Sequence, residues 1–85
     1  MISGTRVARR VLELGRVYGG TPPVTIPLIQ EEIAALAGAS RATVNRVLRE
    51  AEDRGFVSLS RGKTTLLDES GMARLARVRG SDARG

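Results

Sequence analysis

The stretch that decides the fold is QEEIAALAGASRATVNRVLREA, residues 30–51. Its two halves have the apolar spacing of short helices, and the residues between them, Gly38-Ala39-Ser40, have the composition of a tight turn. The second half has aliphatic side chains on one side and arginines on the other. This pattern predicts a helix-turn-helix, which holds its second helix rigid so that the outer face can enter a DNA major groove.

The second helix of the pair is expected over about residues 41–54, with Ser40 as its N-cap and Gly55 at its end. At 100° per residue, one side of this helix carries four aliphatic residues, Val44, Val47, Leu48 and Ala51. The opposite side carries Ala42, Arg46, Arg49 and Asp53, with Asn45 near its edge. The sequence therefore predicts a buried aliphatic face and an exposed, largely basic face.

The first helix of the pair is expected to start near Ile29 or Gln30. Glu31 and Glu32 in its first turn would complement the positive end of the helix dipole. Ile29 has no side-chain acceptor, so this helix start should lack about 1 kcal/mol of capping free energy. The predicted buried face consists of Ile33, Leu36 and Ala37.

Upstream, residues 1–4 look like an unstructured lead-in, and Thr5 is a plausible N-cap for a further helix. The apolar stripe of that helix consists of Val7, Ala8, Val11, Leu12, Leu14 and Tyr18. Its arginines, Arg6, Arg9, Arg10 and Arg16, fall outside the stripe and are expected to be solvated. Gly19-Gly20 should end the helix, and residues 24–26 are β-prone and could add one strand.

Downstream of the pair, the apolar period changes from 3.6 to 2. Apolar and polar residues alternate over residues 57–60, a basic turn follows at Arg61-Gly62-Lys63, and residues 64–67 return as the second strand of a hairpin. Asp68 or Ser70 could cap a last helix, whereas the residues from Arg79 onward show no pattern. The order helix, strand, helix, turn, helix, hairpin, helix predicts a winged helix-turn-helix, mainly α with a small β-sheet, over residues 5–77, followed by a flexible tail over 78–85.

Composition bounds the functions that this chain can have. Of 85 residues, 14 are basic and 9 acidic, which gives a net charge of +5 and makes a polyanionic partner plausible, although an arginine-rich proteome would give the same balance. Without cysteine or histidine, disulfides are excluded and a zinc site is not expected. Neighbouring acidic residues on a helix diverge by 100° or more, so no catalytic carboxylate pair is expected and the chain is predicted not to be an enzyme. We expect a cytoplasmic, nucleoid-associated protein.

Two runs of the sequence carry a resemblance to a known family. These are RVARRVLELGRVYGG, residues 6–20, and VTIPLIQEEIAALAGASRATVNRVLREAEDRGFVSLSRGKTTLLD, residues 24–68. Together they resemble the DNA-binding domain of the Crp/Fnr transcription regulators. The resemblance implies sequence-specific binding of double-stranded DNA, with the recognition helix in the major groove of a palindromic operator and the wing, residues 60–64, on the backbone.

Carried over residue by residue, the resemblance implies that Arg41 and Arg46 contact guanine O6 and N7. Where the family often has glutamate, this chain has Ala42, which could pack on a thymine methyl group instead, and Asn45 could bind adenine. The phosphate contacts implied by the resemblance involve Gln30, Ser40, Thr43, Arg61 and Lys63.

The contacts of Arg49, Arg61 and Lys63 with phosphate have alternatives. Arg49 could reach a phosphate or pair with Asp53 at i+4. Arg61 and Lys63 could instead protect the exposed hairpin from edge pairing. The two aromatic residues, Tyr18 and Phe56, are expected in the core, which disfavours recognition of single-stranded nucleic acid by stacking.

Members of the family also carry an N-terminal β-roll, which binds a cyclic nucleotide or other effector, and a long dimerisation helix. Neither is present in these 85 residues, so we expect an excised domain or a stand-alone protein with no cofactor of its own. It should be a monomer unless a dimerisation region is supplied. RNA polymerase is a further expected partner, and the alternative function is a protein-interaction module that docks on polymerase or an adaptor.

Overall fold

Three helices form the core of the fold, and a small sheet and a fourth helix complete it. The computed structural model describes residues 3–84, and the side-chain surroundings of residues 4–77. The elements in chain order are α1 (Ser3–Tyr18), β1 (Val24–Ile26), α2 (Gln30–Ala37), α3 (Arg41–Asp53), β2 (Val57–Ser60), β3 (Lys63–Leu66) and α4 (Glu69–Arg84). This order confirms the predicted winged helix-turn-helix, mainly α with a small β-sheet.

The three strands form one antiparallel sheet in the order β1-β3-β2. Leu66 lies between Val24 and Val57 in the register, and all three are buried against the helices. The wing is the hairpin β2–β3, whose turn is Arg61-Gly62, with Gly62 at φ 74°. Lys63 therefore belongs to β3, where it pairs with Ser60, and not to the turn as predicted.

Strand β3 also ends one residue earlier than predicted. The backbone N–H groups of Leu67 and Asp68 both donate to the carbonyl of Phe56, at 2.8 and 3.1 Å, and this convergence closes the hairpin ladder. The Phe56 N–H donates to the Ala51 carbonyl at 2.9 Å. Phe56 therefore joins the end of α3 to the base of the wing, and its half-buried ring packs on the core as expected.

Helix α1 starts before the predicted cap. Ser3 and Gly4 are helical, so the predicted lead-in is wrong for these two residues; residues 1 and 2 lie outside the described residues. Thr5 is therefore not an N-cap but a buried residue of the helix. It lies on the same stripe as Ala8 and Leu12, at i+3 and i+7, which explains its burial.

Two apolar residues assigned to the core are exposed. The buried face of α2 consists of Ile33, Ala34 and Ala37. Leu36 is 46% exposed because its side chain points more than 90° away from the centre of that face. Tyr18 is 45% exposed because it lies in the last turn of α1, beyond the packed part of the helix.

One arginine of α1 is not merely solvated. The Arg10 Nε donates to the Leu36 carbonyl at 3.1 Å, and its Nη1 lies 2.9 Å from the Glu13 Oε1. A cation at the last carbonyls of α2 satisfies a group that the helix leaves unpaired and complements its dipole. Arg10 therefore links α1 to the C-terminal end of α2, next to the turn that leads into α3.

Helix α4 starts at the cap that Asp68 provides, since the Gly71 N–H donates to its Oδ1 at 2.9 Å. The helix runs to Arg84, so the backbone of residues 78–84 is helical where a flexible tail over 78–85 was predicted. Residues 79–84 contain no proline, and a single helical glycine such as Gly80 costs only about 1 kcal/mol. Its first turns bury Met72, Leu75 and Ala76 on the core.

Candidate functional site

The turn between α2 and α3 fixes the angle between the two helices. Gly38 is in the left-handed region at φ 67°, and its N–H donates to the Ala34 carbonyl. The next N–H, from Ala39, donates to the same carbonyl at 3.0 Å. Both bonds close the end of α2, and the chain then extends through Ser40 into α3. Because Ala34 is small and buried, the helices can cross closely, so the turn holds α3 rigidly on the core.

Helix α3 has the two faces that its sequence predicts. Val44, Val47, Leu48 and Ala51 are fully buried. The outward face exposes Ala42, Asn45, Arg46 and Arg49. Within the described part of the chain, Arg41, Arg46 and Arg49 form no hydrogen bond or ion pair, and the ion pair of this helix joins Arg54 to Glu50 at 3.3 Å. The Arg49–Asp53 alternative is therefore not formed, and three guanidinium groups are available to an external partner.

Ser40 and Thr43 form a linked pair of hydroxyl groups at the start of α3. The Thr43 N–H donates to the Ser40 Oγ at 3.1 Å, which confirms Ser40 as the N-cap. The Ser40 hydroxyl in turn donates to the Thr43 Oγ1 at 3.0 Å. Since each hydroxyl has one hydrogen, the Ser40 hydrogen is already used and the Thr43 hydrogen remains available. A phosphate accepts hydrogen bonds, so the direct donor of this pair is Thr43.

A hydrogen bond joins Gln30, for which a phosphate contact was predicted, to Asn45, for which an adenine contact was predicted. The Asn45 Nδ2 donates to the Gln30 Oε1 at 3.2 Å, between the first turn of α2 and the second turn of α3. Gln30 is half-buried and Asn45 is exposed. The pair bridges the two helices on the side that faces outward.

A groove of about 210 Å³ separates the wing from the start of the helix-turn-helix. Gln30 and Arg41 line one wall, and Ser60 and Lys63 belong to the wing side. Of the two predicted wing cations, only Lys63 lines this groove; Arg61 lies exposed at the tip of the hairpin. The groove therefore brings three predicted site residues together, Gln30 and Arg41 from the helix-turn-helix and Lys63 from the wing.

One contributor to this surface was missed by the sequence prediction. Ser60, which was predicted only as part of the wing over residues 60–64, also lines the groove. Glu52, in the last turn of α3, accepts a hydrogen bond from the Leu59 N–H at 3.3 Å. This bond joins the wing strand β2 to α3. The available signal was an acidic residue shortly before a predicted hairpin.

The described residues contain no group of three or more acidic side chains that could hold a metal ion. In the part of the chain that the structure covers, no helix is long and apolar enough to cross a membrane.

A wing, a rigid turn and an outward basic helix together define a winged helix-turn-helix domain. The chain belongs to the Crp-like helix-turn-helix domain family, which it matches over residues 5–75. Domains of this family are DNA-binding domains of transcription regulators. The resemblance to the Crp/Fnr regulators is thus confirmed. Which residues of this chain contact DNA stays a prediction.

Particular relatives agree with this assignment. The chain is 46% identical over 76 residues to the "CRP-like cAMP-activated global transcriptional regulator" of Mycobacterium tuberculosis, covering 85% of this chain and 33% of that protein. It is 33% identical over 78 residues to the transcriptional regulator SdrP of Thermus thermophilus, covering 88% and 39%. The crystal structure of the Thermus thermophilus catabolite activator protein superposes with a TM-score of 0.75 at 35% identity, covering 87% and 33%. The chain therefore spans about a third of the length of its first relatives.

Proposed function

We propose that this domain binds one half-site of a double-stranded operator, with α3 in the major groove and the wing on the flanking backbone, in the regulation of transcription. The observation that carries the proposal is the outward face of α3, where Arg41 and Arg46 are exposed and unpaired in the described structure while the opposite face is fully buried. A rigid helix that projects unpaired guanidinium groups suits the base edges of the major groove.

The base contacts follow from the chemistry of the exposed groups. The guanidinium groups of Arg41 and Arg46 can each donate two parallel hydrogen bonds to guanine O6 and N7. Asn45 can donate to N7 and accept from the N6 amine of adenine. Ala42 has only a methyl group on its side chain, so the base facing it would be selected by apolar contact, for which the thymine methyl group is the natural partner.

The phosphate contacts surround this face. Thr43 would donate its free hydroxyl hydrogen to a phosphate, and Ser40 would strengthen that donor because a hydroxyl that accepts one hydrogen bond donates a stronger one. Lys63 in the groove, Arg61 at the wing tip and Arg49 one turn beyond Arg46 would add cationic contacts. These contacts set affinity and register but carry no sequence information.

One domain of this size covers only a half-site, and regulators of this kind bind two half-sites about 34 Å apart as dimers. We therefore expect the 85-residue chain alone to bind weakly and with strong salt dependence, and to gain affinity when a dimerisation region is supplied. Effector binding, in this proposal, belongs to a separate domain, and the chain itself is cytoplasmic and is not an enzyme.

The experiment that tests this function compares Arg46→Ala with the wild type on a randomised duplex library. The expected result is lower affinity together with relaxed selection at one base position, by about 1–3 kcal/mol. The matched control is Arg16→Ala, which removes the same charge from an exposed position on α1, near Glu69. It should leave base selection unchanged. Unchanged selection in Arg46→Ala would contradict the proposal.

A second candidate function is docking on RNA polymerase or an adaptor protein. Two exposed residues favour it: Val17 is 74% exposed and Tyr18 is 45% exposed, next to the loop that connects α1 to β1. If Arg46→Ala binds DNA like the wild type while Val17→Ser abolishes binding of a purified polymerase, the second function is the correct one.

A further inference from the structure

The hydrogen bond between Gln30 and Asn45 gives Gln30 a role that its position alone does not indicate. Gln30 is the first residue of α2, and Asn45 lies on the outward face of α3, fifteen residues later. The Asn45 Nδ2 donates to the Gln30 Oε1 at 3.2 Å. The bond therefore restrains an exposed side chain of the recognition helix from a second helix.

The restraint leaves Asn45 with the groups that adenine requires. A carboxamide has two N–H donors and a carbonyl acceptor, and Gln30 uses one of the donors. The other N–H and the carbonyl oxygen stay available, and the major-groove edge of adenine needs one donor and one acceptor. An unrestrained asparagine would lose rotational freedom on binding, whereas a restrained one has lost part of it beforehand.

We propose that Gln30 is a positioning residue that determines base specificity by holding the Asn45 amide in the orientation that binds adenine. This inference rests on the proposed function, since it requires α3 in the major groove. It differs from the phosphate contact expected for Gln30. A phosphate contact would use the Gln30 Nε2 and affect all DNA sequences alike, whereas the bond to Asn45 uses Oε1 and affects one base position.

Two substitutions of Gln30 separate these roles. Gln30→Met keeps the length of the side chain but removes the acceptor for Asn45. Gln30→Glu keeps an acceptor oxygen and adds a negative charge near the DNA phosphates. The positioning role predicts that Gln30→Met relaxes selection at one base position, and that Gln30→Glu retains this selection while it weakens binding to all sequences.

The test measures base preferences of the wild type, Gln30→Met, Gln30→Glu, Asn45→Ala and the double variant on the same randomised duplex library. Asn45→Ala identifies the base position that Asn45 contacts. At that position we expect Gln30→Met to lower discrimination by about 3- to 10-fold, the range for loss of one hydrogen bond. In the Asn45→Ala background, Gln30→Met should cause no further loss of discrimination.

Three outcomes would overturn the inference. Gln30→Met could weaken binding equally for all sequences, which would indicate a phosphate contact. It could relax a base position in the Asn45→Ala background as well, which would show that it does not act through Asn45. Asn45→Ala could leave every position unchanged. If Arg46→Ala still relaxes its own position in these cases, the proposed function stands and only the role of Gln30 fails.

Discussion

The close approach of α4 to Phe56 gives a stability prediction whose sign can be derived from the structure. A Cβ added to Gly71 would lie 2.8 Å from the Phe56 Cγ, and closer still to the ring atoms Cδ1 and Cε1. Three atoms of one ring are involved, so no rotation of a flexible chain end can relieve the contact. The Phe56 backbone cannot move away easily either, because its carbonyl accepts two hydrogen bonds and its N–H donates a third.

Two opposing magnitudes decide the effect of Gly71→Ala on the free energy of unfolding. Replacing glycine by alanine within a helix stabilises by up to about 1 kcal/mol. Overpacking a close contact costs about 1–3 kcal/mol, because the ring must leave its preferred rotamer or the helix must shift. We therefore expect a net loss of about 1 kcal/mol, which in a domain of this size lowers Tm by roughly 4–8 °C.

Urea denaturation followed by circular dichroism measures this change, and a second background tests its cause. Phe56→Ala removes the Cγ and the whole ring, so in that background Gly71→Ala should stabilise the protein instead of destabilising it. Ser70→Ala, at the exposed neighbouring position, is the control for helix propensity alone. Stabilisation of the wild type by Gly71→Ala, or an equal effect in both backgrounds, would show that the contact with Phe56 does not determine the sign.

Three further predictions concern the helix starts and the wing. Ile29→Thr should raise the free energy of unfolding by about 0.5–1 kcal/mol in urea, because the α2 start has only the Ile29 N–H bond to the Glu32 carboxylate and lacks a side-chain cap; an unchanged midpoint would contradict this. Ser40→Ala should lower both stability, by about 1 kcal/mol, and DNA affinity, whereas Thr43→Val should lower mainly the affinity; equal losses of stability would contradict the assignment of Thr43 as the free donor. Lys63→Gln should reduce the slope of log K against log salt by about 0.9 without changing base preference in fluorescence anisotropy titrations, and an unchanged slope would remove Lys63 from the interface.

The sequence predicted those parts of the fold in which periodicity and burial agree. In α3, the 3.6-residue period identified all four buried residues, because aliphatic and charged side chains alternate there without ambiguity. The change to a period of 2 predicted the wing, although the predicted turn included Lys63, which is the first residue of β3. Lys63 was assigned to the turn because it is polar and follows a glycine. Nothing in the sequence indicated that it pairs with Ser60 in the hairpin.

Two errors came from weighing residue type above direction. Leu36 is as large as Ile33, but the buried face of α2 also includes Ala34, and this moves the centre of that face away from Leu36. Thr5 is polar and precedes an apolar stripe, so it resembled a cap, yet its angular position lies within the stripe. A projection of α1 would have corrected Thr5, since the direction depends only on spacing, whereas excluding Leu36 required the observed burial of Ala34.

The candidate site was predicted as a set of separate residues, and their connections came from the structure. The bonds that join Gln30 to Asn45 and Glu52 to the Leu59 N–H link elements whose relative placement depends on the packed core. Local sequence patterns contain no information about such contacts. The same holds for the groove between Arg41 and Lys63, which exists only once the wing has folded beside α3.

An NMR titration would show whether the outward face of α3 and the wing contact DNA, as we propose. Backbone amide shifts of the 15N-labelled chain would be followed while a half-site duplex selected from the library is added at low salt. We expect the perturbed amides to cluster at residues 40–49 and 60–63, and the amides of α4 to stay unchanged. A cluster at Val17 and the loop after α1, with α3 unaffected, would contradict the proposal.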